Sequence, residues 1–157
     1  GEGDLAKGEL DALVPLQDDV SVRFLDSRDY PGSLLVGIAI ELLRGEIAYR
    51  SGSYLQAITH FSAAVEQQDS LPYTEPPFWY YPTRQSLGAA MMASGDAQGA
   101  EAVFRRDLEL YPHNGWSMFG LMQSLRAQDK NDQADEVQVH FEKAWQFADV
   151  ELTAAVL

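Results

Sequence analysis

Large apolar side chains recur every three or four positions from Leu87 and again from Ala100, with polar residues between them. That is the period of an α-helix, at about 3.6 residues per turn. The stretch from Phe78 to Pro112 therefore predicts two amphipathic helices joined at Gly95-Asp96. Gly95 can end the first helix in the left-handed region, and Asp96 can cap the second. Pro112 cannot continue a helix interior and closes the unit. Gly88 and Ala100 are small, so the two helices can approach closely.

Flanking segments repeat this arrangement. Upstream, Gly45, Gly52, Ala57, Phe61 and Ala64 take equivalent places; downstream, Trp116, Gly120 and Ala134 do so. Ala100 and Ala134 are 34 residues apart, whereas Ala57 and Ala100 are 43 apart. The excess falls in Leu71–Pro82, where four prolines and five aromatic residues stand within twelve positions. Residues before proline avoid the α region, so much of this segment should be extended. It reads either as an aromatic platform that grips a ligand (Tyr73, Phe78, Trp79, Tyr81) or as filling beneath a long loop. In the second reading Phe78, Trp79 and Tyr80 begin the next helix.

The order Leu87, Gly88, Ala100, Phe104, Pro112 resembles the tetratricopeptide repeat, a helical hairpin of roughly 34 residues. Met91 stands where that repeat has an aromatic, and Asp107 where it has its last alanine. An acid at that packed position needs a partner, for which Arg84, Arg105 and Arg106 are candidates. The run Pro76 to Gly88 with Asn114 to Leu121 is similar to the C-terminal region of uncharacterised bacterial tetratricopeptide proteins. The resemblance implies an all-α fold of antiparallel hairpins stacked in a right-handed superhelix, with about three repeats and one long insertion. A single domain over 1–157 would comprise the second helix of a preceding repeat (1–14), a loop (15–31), repeat 1 (32–70), an insertion loop (71–82), repeat 2 (78–112), repeat 3 (113–149) and a tail (150–157).

The resemblance also implies protein or peptide binding in a groove lined by the first helices. Transferring its groove positions selects Glu46, Tyr49, Arg50, Gln85, Met92, Ser117 and Ser124. Leu42 and Glu46 stand where chaperone-tail binders carry basic or amide groups, so such tails are not expected ligands. The apolar ends, at Val14 and at Leu152–Leu157, offer self-association as the alternative, with an enzyme's accessory domain as a further one.

Charge narrows the partners. The chain carries 24 acidic and 11 basic residues, a net charge of −13. Phosphate backbones require clustered positive charge, and Arg105-Arg106 is the one adjacent basic pair. Nucleic acid is therefore not an expected partner. The apolar run Leu34–Leu43 contains Glu41 and ends at Arg44, well short of the ~18 residues of a membrane span, so membrane insertion is not expected either. There is no cysteine, which suits cytoplasm and periplasm alike, with the cytoplasm favoured.

Chemistry has few anchors. No phosphate loop, H-E-x-x-H pattern or serine-triad signature is present, and the reading is a non-enzyme without cofactor. His60, His113 and His140 are scattered along the chain, so a shared metal site is not expected. Asp18, Asp19, Asp26 and Asp29 lack the spacing of a calcium loop. The alternation of Val20, Val22 and Phe24 suits a strand with nothing to pair with, so 15–31 is expected to be loop.

Overall fold

The computed structural model describes residues 2–155. Among these the fold is all-α, with no strand. Its elements are α1 (Glu2–Leu13), a 3-10 turn (Val14–Asp18), α2 (Val20–Asp26), α3 (Gly32–Arg50), α4 (Tyr54–Asp69), α5 (Thr83–Ser94), α6 (Ala97–Leu110), α7 (Gly115–Arg126) and α8 (Asn131–Trp145). The chain forms two compact units that meet in sequence between Thr83 and Arg84, where the sequence suggests one domain.

Unit 1 is built on the α3–α4 hairpin. Gly52 has φ of 77° in the tight turn, a conformation glycine adopts without strain. A Cβ on Gly45 would stand 2.5 Å from Cδ1 of Phe61, so the missing side chain is what lets α4 lie against α3. Ala57, Phe61 and Ala64 face this seam and are buried. Further along, Glu41 of α3 accepts from Arg44 at 2.7 Å and lies 2.7 Å from Nδ1 of His60 on α4. The 3-10 turn, α1 and α2 pack onto α3.

The segment expected to be loop, 15–31, is instead mostly helical. Pro15 occupies an early position of the 3-10 turn, and Asp19 caps α2 by accepting from Ser21 N at 2.7 Å. Gly32 brings α3 so close that a Cβ there would meet Val22 O at 3.0 Å. Capping and tertiary packing override the two-residue alternation. The four aspartates are occupied locally. Asp18 pairs with Arg23, Asp19 caps α2, and Asp26 accepts from Ser33 N at 3.0 Å and from its hydroxyl. Asp29 sits at φ 59° in the turn before α3.

The helix after the aromatic segment begins at Thr83, not at Phe78. Gln68 Oε1 accepts from Thr83 N at 2.9 Å and from its hydroxyl at 2.7 Å, while Gln68 Nε2 donates to Tyr81 O at 3.3 Å. A side chain of α4 thus supplies the acceptor that the start of α5 lacks.

Unit 2 repeats the hairpin logic. Gly95 has φ of 90°, and Asp96 accepts from Gly99 N at 2.8 Å to cap α6. Phe104 lies against two glycines: Cβ atoms on Gly88 and on Gly120 would each stand 2.5 Å from its Cε1. Asn114 caps α7 by accepting from Trp116 N at 3.1 Å. Where the third hairpin lacks a glycine, Asp129 takes the left-handed turn at φ 60°. Ala100, Phe104, Leu121, Leu125 and Ala134 form the buried core. After α8 the chain runs back along α7. Trp145 Nε1 donates to Val150 O at 2.8 Å, Gln123 Nε2 to Thr153 O at 3.5 Å, and Ala155 is buried in the same core.

Candidate functional site

The residues transferred from the repeat resemblance do not share one environment. In unit 1, Glu46 and Arg50 fall one turn apart on α3 and form an ion pair at 2.7 Å. Both line a cavity of about 540 Å³ with Ala6 and Lys7 of α1 and with Ile47. Tyr49 is half-buried beside them, its ring 5.6 Å from that of Tyr54, and burial raises its phenol above the ordinary value. In unit 2, Met92 is half-buried, whereas Gln85, Ser117 and Ser124 are buried and offer no open surface to a ligand.

Their burial has a physical reason. Asp107 is fully buried on α6 and accepts from Ser117 Oγ at 2.6 Å and from Asn114 Nδ2 at 2.8 Å. Asn114 Nδ2 also reaches Gln85 Oε1 at 3.4 Å. Ser124 turns its hydroxyl to Leu121 O at 2.8 Å. Three groove positions therefore serve interior hydrogen bonding. Of the arginines considered for Asp107, Arg105 pairs with Glu101 at 2.9 Å and Arg106 with Glu109 at 2.6 Å. Asp107 is held by neutral donors, with the charge of Arg84 favouring its ionised form. Burial outweighs both and pushes the carboxyl above its ordinary value. Its Oδ1 has no hydrogen-bond partner among the described residues.

The aromatic segment divides as well. Tyr73 and Tyr80 are 85% and 89% exposed, and the Tyr73 hydroxyl donates to Glu75. Phe78 packs edge-on against Tyr30 at 5.1 Å, and Trp79 and Tyr81 are half-buried. Within the platform set, Tyr73 is the fully presented ring. Trp116 is half-buried and meets Trp145 edge-on at 5.6 Å.

One arrangement escapes sequence reasoning. His113 from the α6–α7 loop and His140 from α8 line the same cavity, of about 580 Å³, between α6, α7 and α8. Lys143 joins them one turn after His140. Leu108, Met118, Leu121 and Val137 supply an apolar lining. The available signal was the spacing Val137, His140, Ala144, which places all three on one face of α8. His60 lies elsewhere, bound to Glu41. Among the described residues no three His, Asp or Glu side chains gather as metal ligands, and no helix is long and apolar enough to cross a membrane.

Comparison with protein-family models, with curated proteins and with solved structures found no match to this chain.

Proposed function

We propose that the chain is a non-catalytic binding module that holds a protein or peptide segment against the first helices of its hairpins. The observation that carries this reading is the meeting of Glu46, Arg50 and Lys7 around one cavity of about 540 Å³. Charges of both signs beside the Tyr49–Tyr54 ring pair suit a polypeptide, which offers polar backbone, charged side chains and apolar surface together. The equal spacing of the two seams, Gly45 with Phe61 and Gly88 with Phe104, supports the repeat resemblance from which the binding role is inferred.

Peptides selected from a displayed library on the immobilised chain test the reading, with affinities then measured by calorimetry. Arg50→Glu and Tyr49→Ala should each weaken a selected peptide at least tenfold, and Met92→Ala reports on the corresponding position in unit 2. Unchanged affinity in folded Arg50→Glu and Tyr49→Ala proteins would remove the α3 site.

A second reading, self-association, is favoured by a different surface. Val20 and Phe24 fall one turn apart on α2 and are 81% and 57% exposed, with exposed Leu16 nearby in sequence. Large exposed apolar groups on one helix favour contact with another chain. Light scattering over a hundredfold concentration range should then show a rising mass that Phe24→Lys abolishes. A constant monomer mass rejects this reading and leaves the first intact.

A further inference from the structure

We propose that the cavity between α6, α7 and α8 binds a small amphipathic monocarboxylate, an unbranched medium-chain fatty-acid anion. This site is separate from the α3 cavity and does not depend on the peptide reading. The argument begins with charge. Arg23, Arg44, Arg50, Arg105, Arg106, Arg126 and Lys130 each pair with an Asp or Glu. The side chains of His113, His140 and Lys143 make no hydrogen bond or ion pair among the described residues, and all three residues line this one cavity. Among the described residues no acidic one lines it, although the chain has a net charge of −13. The local sign is therefore the reverse of the molecule's, and these donors border a space with no carboxylate among its described lining residues.

Shape gives the rest of the ligand. Leu108 of α6, Met118 and Leu121 of α7, and Val137 of α8 line the cavity with apolar surface, Met118 and Leu121 being buried. A volume of about 580 Å³ is in the range of small-molecule sites. A ligand that satisfies both parts has one anionic head for Lys143 and the two imidazoles, and a flexible apolar tail. Lys143 supplies an amine head with several donors, and either histidine can donate a hydrogen bond through a ring N–H. Phosphate or sulfate would leave the apolar surface uncovered, and an alcohol of equal length would leave the ammonium unpaired.

Titration with decanoate, followed by calorimetry and by amide chemical shifts in ¹⁵N-labelled protein, tests the proposal. One saturable site is expected, with shifts concentrated at Val137, His140, Lys143 and Met118. Octanoate should bind about 15-fold more weakly, since each buried methylene adds roughly fourfold. Decanol should bind at least tenfold more weakly than decanoate. The double variant His140→Ala, Lys143→Glu should lose decanoate at least tenfold without changing the helical circular-dichroism signal, because both side chains are exposed. A cavity-filling Val137→Trp protein should lose decanoate and decanol together. Equal affinity for decanol and decanoate, shifts centred elsewhere, or undiminished binding by the double variant would each overturn the proposal.

Discussion

Gly88 and Phe104 are related by exclusion: a Cβ at position 88 would lie 2.5 Å from Phe104 Cε1, deep inside van der Waals contact. Phe104 is fully buried and also abuts Gly120, so its ring has no free side to move toward. Gly88→Ala gains about 1 kcal/mol of helix propensity. It also overpacks the α5–α6 seam, at a cost of roughly 1–3 kcal/mol or more. A net loss of stability is expected in urea denaturation. Gly8→Ala is the contrasting case, since its Cβ would meet nothing within 4 Å. That variant should be neutral or more stable.

Gln68 makes a parallel case across a loop. It satisfies both Thr83 N and Thr83 Oγ1, and Thr83 is fully buried. Gln68→Ala would leave a buried donor pair without its acceptor, a loss of about 1–3 kcal/mol. Amide hydrogen exchange should show faster opening of the first turn of α5 while the middle of α4 stays protected. Unchanged exchange at Thr83 would show that the start of α5 does not depend on this bond.

Much of the helical framework was legible because it depends on local rules. The period and punctuation around Gly32–Arg50, Gly95-Asp96 and Pro112 mark α3, the α5–α6 turn and the end of α6. α2 was hidden, because Val20, Val22 and Phe24 alternate like a strand and only the Asp19 cap and the packing of Gly32 decide otherwise. The start of α5 was hidden for a similar reason, its stabilising acceptor lying 15 residues earlier in Gln68. Site residues were less legible still. Glu46 and Arg50 share a cavity as their spacing on α3 allows. Ser117 is drawn inward by Asp107, and His113 and His140 come to line one cavity through a packing of three helices.

Asp107 should give the protein a specific acid response. Its carboxyl is raised above the ordinary 3.8 by burial, so the folded state holds the proton more tightly than the unfolded state. Stability from this group therefore falls as pH rises from about 3.8 through the folded value, and the loss persists above it. Asp107→Asn removes that dependence. The wild type should gain stability relative to the Asn variant on acidification, measured as paired urea midpoints across pH. Asp107→Ala also strips the acceptor from Ser117 and Asn114, and should cost about 1–3 kcal/mol at neutral pH.

Glu101 should respond with the opposite sign. Its carboxylate accepts from Lys130 at 2.6 Å, from Arg105 at 2.9 Å and from Gln128 at 2.9 Å. The Lys130 bond leads in holding it at about 2, below the ordinary glutamate value of 4.5. A depressed acid stabilises the fold at every pH above the unfolded value, and that contribution drains away as pH falls from about 4.5 to about 2. Lys130 and Arg105 are more than a third exposed, so solvent screens the pairs. The net contribution is on the order of 1 kcal/mol. Glu101→Gln should lose that amount at pH 7 in low salt and less in high salt. The difference from wild type should close as pH falls through the same window. A gap that stayed constant down to pH 2 would assign the effect of Glu101 to packing between α6 and the start of α8, and not to its charge.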